Sequence, residues 1–421
     1  MEIAVAPLAA ESFIARQPVF DRNCDVVGYE LLFRSGPENY FSEQDGDRAT
    51  SKVMLSATSM YGLDALTAGR KAFVNVTRNV LLNELYTILP PHRTVIEILE
   101  DTAVDDEVVL ACETLREAGY QLAVDDFAFG AETERLLPLA DIVKIDFNVA
   151  DSGQRRAYAR LTETRTAILL AEKIETYPDL REAVDLGYTY FQGFFYCTPQ
   201  VVRRRDLPTA KLNSLRLLEE TSRPMLNVNR LDAIIRQDVG LSYKLLKYLN
   251  IAAFGLPNRI RSIKHAITML GDRAMRKWAS LIVLAGLSEE KPPELFRTSL
   301  IRARLCELLA QEARLGEREA DCFMVGLFSM LDAILDREMA AVLEDLQIPA
   351  EVKDTLLGEP TTLSAVRRVA IALERGRWED LAVLHPRLTV NDERLPELYR
   401  ISIRWAEAIL CQVPEAARRS A

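Results

Sequence analysis

Along the first half of this 421-residue chain, short apolar runs end repeatedly in oxygen-bearing or cationic side chains. Glu30 lies in Val26-Val27-Gly28-Tyr29-Glu30-Leu31-Leu32, and Asn75 in Ala72-Phe73-Val74-Asn75-Val76. Glu97 and Glu100 come from Val95-Ile96-Glu97-Ile98-Leu99-Glu100, and Asp125 and Asp126 follow Leu122-Ala123-Val124. Lys144 and Asp146 sit in Ile142-Val143-Lys144-Ile145-Asp146, Glu172 closes Ile168-Leu169-Leu170-Ala171 with Glu175 three residues on, and Gln192 follows Tyr190-Phe191. An unpaired carboxylate inside an apolar run is costly, so packing alone does not ask for these residues. Crowded carboxylates repel one another unless cations neutralise them. Histidine occurs only at 92, 265 and 385, away from these runs, so the donor set is hard oxygen and suits Mg²⁺ or Mn²⁺. The consecutive pair Asp125-Asp126 can bridge two ions, a two-metal clamp for attack of water on a phosphodiester. Lys144 can orient that water or offset charge on a phosphate oxygen. Taken singly, each acid reads equally well as a helix N-cap, Asn75 as a turn former and Lys144 as half of a structural salt bridge. Paired carboxylates also serve glycosidases, for which Phe127, Phe129 and the aromatics of 188–195 are candidate sugar platforms.

The elements that carry these residues alternate. Strands are predicted at 13–20, Val26–Phe33, Lys71–Val76, Thr94–Leu99, Gln121–Asp126, Ile142–Asp146, Ala167–Glu172 and Tyr188–Gln192, with helical spacing between most of them, as at Val104–Ala118 and Tyr177–Asp185. Eight strands in under 200 residues favour an α/β fold of the (β/α)8-type barrel, whose strand ends converge on one face. The first two strands are joined by Asp21 to Asp25, too short for a crossover, so they should be antiparallel. After Arg203-Arg204-Arg205 the strand rhythm stops. Helical spacing at Val239–Ala253, Ser262–Leu270, Asp272–Leu284, Glu294–Ala313 and Leu395–Leu410, with turns at 255–257 and 358–360, predicts an all-α second domain. The expected division is 1–204 and 205–421.

Composition narrows the function classes. A formal net charge of −10, from 52 Lys and Arg against 62 Asp and Glu, argues against a general DNA or membrane-surface partner. No apolar run approaches the roughly 20 residues of a membrane span, and the start does not read as a signal peptide. The six scattered cysteines lack a CxxC pair and read as reduced thiols of a cytoplasmic protein.

Over 13–200 the motifs resemble the EAL family of cyclic-di-GMP phosphodiesterases. The matching segments are Arg16-Gln17-Pro18-Val19, Gly28 to Arg34, Phe73 to Val76, Glu97 to Glu100, Asp125-Asp126-Phe127, Val143 to Asp146, Ala171 to Thr176 and Phe191 to Phe194. The resemblance implies metal ligation by Glu30, Asn75, Glu97, Asp125 and Asp126, and water activation by Lys144 and Glu172 with Glu175 beside them. It implies substrate contacts from Gln17, Arg34, Asp146 and Gln192, and a loop-holding role for Glu100. Departures from the family pattern are Leu31 for alanine, Leu99 for threonine, Lys173 for glycine, and a loop reading Ala128 to Thr133 in place of a glycine-rich one.

Residues of about 205–395 resemble an HDOD domain, a helical relative of the HD phosphohydrolases. Ile234 to Leu241, Leu245 to Asn250 and Ser262 to Gly271 carry the likeness. Where a His-Asp ligand pair would stand, this chain has Ser329-Met330, and His265 reads as structural. The resemblance therefore implies a non-catalytic module that regulates the barrel and contacts an unidentified protein partner; barrel pairing into a homodimer is a family-level expectation. Two readings follow: metal-dependent hydrolysis of cyclic-di-GMP to pGpG, or a catalytically impaired effector that binds the dinucleotide and signals through its helical domain.

Overall fold

The structure is a computed structural model. It describes residues 13–34, 63–100, 102–125, 133–163, 167–200, 216–217, 219–221, 223, 225–236, 263–288, 291–344, 346, 348–388, 390–391 and 394–410. Eight strands form a closed barrel in chain order: β1 (Phe13–Phe20), β2 (Val26–Arg34), β3 (Lys71–Val76), β4 (Thr94–Ile98), β5 (Gln121–Val124), β6 (Ile142–Asp146), β7 (Ile168–Glu172) and β8 (Tyr190–Gln192). β1 pairs antiparallel with both β2 and β8, and every other neighbouring pair is parallel. The antiparallel opening expected from the five-residue turn is present. Its tightness comes from the Asp21 carboxylate, which accepts the amide N–H groups of Asn23 and Asp25.

The helices between strands are delimited by local signals. Asp105 caps the helix Asp106–Glu117 by accepting the Val108 N–H, and Gly119 (φ 88°) lets the chain turn back into β5. Thr176 and Asp179 form a reciprocal capping box that starts Tyr177–Asp185 directly after the β7 end. Beyond the barrel the described elements are helical. They include Ile263–Leu287, broken at Gly271 (φ 72°, ψ 171°), and Pro293–Glu312, Glu319–Phe328 and Leu395–Leu410. The break at Gly271 separates the two helices that the apolar spacing predicts. The predicted helix Val239–Ala253 and turn 255–257 lie outside the described residues.

By spatial contact the chain forms two compact units. One draws on 1–198 together with 371–386 and 390–404, and the other on 199–370, 387–389 and 405–421. Within the first, the Arg375 guanidinium lies 4.3 Å from the centre of the Phe194 ring. Among the described residues no helix is long and apolar enough to cross a membrane.

The barrel interior is filled by Val19, Phe73, Val95, Ala123, Ile142 and Leu170, all buried. Phe73 takes its space because β2 carries glycine beside it. A Cβ built on Gly28 would stand 2.6 Å from Phe73 Cε2 and 2.8 Å from the Lys71 carbonyl oxygen. Gly28→Ala should therefore destabilise the protein by about 1–3 kcal/mol. A thermal melt checks this: a melting temperature equal to that of the unmodified protein would show that β2 has room to spare.

Candidate active site

Side chains on one face of a strand recur every two residues, so the layer above the apolar filling is fixed by the layer itself. Asn75 follows Phe73 by two, Glu97 follows Val95, Asp125 follows Ala123, Lys144 follows Ile142 and Glu172 follows Leu170. Glu30 follows Gly28, and on the reversed β1 Gln17 precedes Val19. Register completes the ring: Gln17 stands opposite Glu30, Asn75 opposite Glu97, and Asp146 opposite Glu172. The strand ends thus bring together Gln17, Glu30, Asn75, Glu97, Asp125, Lys144, Glu172 and Gln192.

Lys144, 1% exposed, is the hub. Its Nζ lies 2.6 Å from Glu172, 2.9 Å from Glu97, 2.9 Å from Asp125 and 3.7 Å from Glu30. Gln192 Nε2 donates to Glu30 Oε2 at 2.5 Å and to Gln17 Oε1 at 3.0 Å, and Asn75 Nδ2 donates to Glu30 Oε1 at 2.9 Å. These contacts separate the acids electrostatically. Burial pushes Glu30 up, but the Lys144 charge and the hydrogen bonds from Gln192 and Asn75 outweigh it and leave Glu30 below its ordinary range. Glu97 lacks such donors; burial carries it well above the usual carboxylate range, against the pull of Lys144 and with the push of Glu30 and Asp125. Burial likewise raises Glu172 to about 8. For Lys144 burial works toward neutrality, and the surrounding acids Glu172, Glu30, Glu97 and Asp125 overcome it and keep the ammonium charged.

An ammonium has three protons and here faces four carboxylates, so it cannot satisfy them all. Buried acceptors are left over: among the described residues, Asn75 Oδ1, both Glu97 oxygens and Gln192 Oε1 have no hydrogen-bond partner. Glu97 Oε1 is nevertheless ion-paired with the Lys144 ammonium at 2.9 Å. Among the described residues no three acidic, histidine or cysteine side chains already form a metal cage. The chemistry of these oxygens fits a hard divalent cation, for which Glu30, Asn75, Glu97 and Asp125 would be the donors. Asp126 and the loop from 128 to 132 lie outside the described residues, as do the side chains of Arg34 and Thr133. Glu100 and Glu175 are exposed, and neither is among the acids that reach Lys144.

Asp146 is engaged elsewhere. Its Oδ1 accepts the Asn148 N–H at 2.7 Å and its Oδ2 receives the Lys173 ammonium at 2.5 Å. Lys173 holds a left-handed backbone (φ 55°), which for a non-glycine residue costs about 1–2 kcal/mol. Its side chain is 50% exposed, and an ion pair so wetted contributes about 0–1 kcal/mol. The pair therefore does no more than offset the strain. Sequence reasoning sees Lys173 as a replaced glycine and misses its partnership with Asp146. The signal was a long basic side chain beside a strand-end acid, but its direction depends on the backbone hand. Behind it, Gly193 (φ 145°) is required: a Cβ there would stand 2.1 Å from the Ile174 carbonyl oxygen, where the β7 loop is laced to β8 by Ile174 N–H to Gln192 O at 2.9 Å.

Fold and site together define an α/β barrel whose open end is an acid-rich cluster organised round one buried lysine. Comparison with known proteins places it further. The EAL domain family matches residues 75–199 and the HDOD domain family residues 207–344. YuxH of Bacillus subtilis, itself uncharacterised, is 34% identical over 94% of this chain and 98% of its own length. CdgJ of Vibrio cholerae, a cyclic di-GMP phosphodiesterase, is 32% identical over 87% of this chain and 86% of its own length. A solved complex of Klebsiella pneumoniae BlrP1 with manganese and cyclic di-GMP aligns at 22% identity, covering 45% of this chain and 56% of that one, with a TM-score of 0.38. The chain belongs to the family of proteins in which an EAL domain precedes an HDOD domain.

The raised Glu172 makes a signed prediction. Its folded value of about 8 exceeds the ordinary 4.5, so its contribution to stability is fully present below about 4.5 and is lost as pH rises through 8. In chelator, denaturant midpoints should fall over that window by more in the unmodified protein than in Glu172→Gln, and added Mn²⁺ should restore stability at the alkaline end. Parallel pH profiles for the two proteins in chelator would contradict the assignment.

Proposed function

We propose that the barrel hydrolyses cyclic di-GMP to linear pGpG with the help of Mg²⁺ or Mn²⁺. The observation that carries this reading is the buried Lys144 ringed by four carboxylates, with acceptors of Asn75, Glu97 and Gln192 that have no hydrogen-bond partner among the described residues at the same place. The kinship with CdgJ, named for this activity and matched over most of its length, supports the substrate. Divalent ions held by Glu30, Asn75, Glu97, Asp125 and Asp126 would supply charge that acidifies water and offsets the phosphate. This chain's residues do the rest. Lys144 positions the attacking water's oxygen and donates to a phosphate oxygen. Glu172, 2.6 Å from that ammonium, takes the water's proton once added positive charge brings its carboxyl below 8. The new phosphorus–oxygen bond forms as the bond to the ribose oxygen breaks, and the departing oxygen takes its proton from solvent. Gln17 and Gln192 line the wall, and Arg34 contacts substrate phosphate.

The division of labour proposed is catalysis by residues 1–204 and regulation by 205–421. In the helical unit Ser329 accepts from the buried Arg302 guanidinium at 2.7 Å, where a hydrolase of the HD type would need a His-Asp ligand pair. A module with arginine and serine at that point supports a role in binding a protein partner, with the barrel pairing with a second copy, in the cytoplasm.

One observation favours a second reading, binding without turnover: Lys144 already sits against oxygens of Glu30 and Asp125 that ions would use. Incubation of the full chain with cyclic di-GMP and Mn²⁺ or Mg²⁺ distinguishes them. We expect pGpG to accumulate, and Glu30→Ala and Asp125→Ala each to lower the rate by about 100-fold or more. Metal-independent binding with no product would leave the effector reading, and absence of binding would remove both.

A further inference from the structure

One arginine at the barrel mouth comes from far down the chain. Residues 371–386 follow most of the helical unit yet belong to the barrel's compact unit. There the helix Ser364–Glu374 stops at Gly376 (φ 64°). The Gly376 N–H donates to the Leu373 carbonyl at 3.3 Å, and the Arg377 N–H to the Ala372 carbonyl at 2.8 Å. This turn rests on the inner face of β1 and β2: a Cβ built on Gly376 would lie 3.4 Å from Leu32 Cδ1 and 3.5 Å from Ala15 Cβ. Ala15 and Leu32 are register partners, and each stands two residues further toward the mouth than Gln17 and Glu30, on the same face of its strand. The turn is therefore about 7 Å above the Gln17–Glu30 pair. Beside it, the Arg375 guanidinium lies 4.3 Å from the centre of the Phe194 ring, and Phe194 is two residues beyond Gln192 at the end of β8. Among the described residues that guanidinium makes no hydrogen bond or ion pair, and its Nε is buried without a partner. A cation at a helix C-terminus is ordinary, but a buried guanidinium nitrogen with no acceptor is not.

We infer that Arg375 is a specificity-determining residue of this site: its guanidinium, backed by the Phe194 ring, donates to the O6 and N7 acceptors of a guanine of the dinucleotide. This rests on the proposed action on cyclic di-GMP. The phosphate under attack belongs with the acids round Lys144, a tier below the turn, so the part of the substrate that meets the turn is a nucleoside. A guanidinium fork matches the two neighbouring acceptors on the guanine edge, where adenine places an amino donor beside N7. The aromatic ring holds the fork by its face and uses none of the N–H groups. Arg375 is not among the groups that reach Lys144, so it acts on binding rather than on turnover. The site then draws one residue from beyond the helical stretch, and a chain ending at 204 would lack it.

The experiment compares equilibrium binding of cyclic di-GMP and of its 7-deazaguanine analogue, which lacks the N7 acceptor, by the full chain in Ca²⁺. Steady-state hydrolysis of cyclic di-GMP in Mn²⁺ follows, for the unmodified protein, Arg375→Met and Arg375→Lys. We expect the unmodified protein to prefer cyclic di-GMP over the analogue by about 5- to 10-fold, the scale of one hydrogen bond to a charged group. Arg375→Met should bind cyclic di-GMP about 10-fold or more weakly and no longer distinguish the two ligands, with the loss falling on KM and not on kcat. Arg375→Lys should recover part of the preference, because lysine also reaches O6 and N7. Methionine keeps an apolar stem against Phe194, and a thermal melt reads any structural cost separately. Unchanged affinity in Arg375→Met would overturn the inference. So would an unmodified protein that binds both ligands alike, or a methionine variant that is weakened yet keeps the preference, which would mark a phosphate contact or a structural prop. If the unmodified protein binds neither ligand, the proposed function falls first and this inference with it.

Discussion

The mouth of this barrel depends on one buried ammonium. Lys144 is the cation round which Glu30, Glu97, Asp125 and Glu172 are gathered, and burial would otherwise make so dense a set of carboxylates very expensive. One positive charge cannot balance four negative ones. Burial pushes Glu97 and Glu172 upward, and the neighbouring carboxylates add to it, while the Lys144 charge and the hydrogen bonds from Gln192 and Asn75 hold Glu30 down. Protons and divalent cations are thus alternative answers to the same imbalance.

That imbalance can be maintained because the layer beneath is apolar and close-packed. Val19, Phe73, Val95, Ala123, Ile142 and Leu170 fill the barrel and fix, through the two-residue period of their strands, where the polar ring must stand. Gly28 belongs to that layer as much as Phe73 does, since the ring occupies the space a side chain would need. At the far seam, Gly193 lets the β7 loop lie against β8, so the segment that carries Glu172 is tied to the one that carries Gln192. Strands and their hydrogen-bonded junctions hold the site, which gives it more definition than mobile loops would.

This hierarchy decides what could be read from the sequence. The strand ends were legible because an acid interrupting a run such as Val95 to Leu99 violates the apolar pattern, and such violations recur at nearly every strand. The antiparallel start was legible from loop length alone. The link between Gln17 and Gln192 was not, because it forms only when the last strand closes on the first. The Lys173–Asp146 pair was not, because side-chain direction there follows from a backbone hand that sequence reasoning assigns to glycine. Residues 371–386 and 390–404 contribute to the barrel's compact unit although they follow most of the helical unit in the chain. Helical periodicity marks that they are amphipathic and is silent on which core receives their apolar faces.

The polar residues of the mouth fall into two tiers with different physical character. Lys144, Glu30, Glu97 and Glu172 lie two residues above the apolar layer almost wholly out of solvent, with Asp125 17% exposed beside them, where breaking a buried pair leaves an uncompensated charge. Asp146 lies two residues further along the same strand, and its partner Lys173 is half-exposed, where water can take over either group's contacts at little expense. A reaction needs the first kind of arrangement: groups whose positions do not change when the substrate arrives, so that no reorganisation is added to the barrier. The depth of each pair in the barrel, and with it the energetic character of the pair, is set by strand period and register.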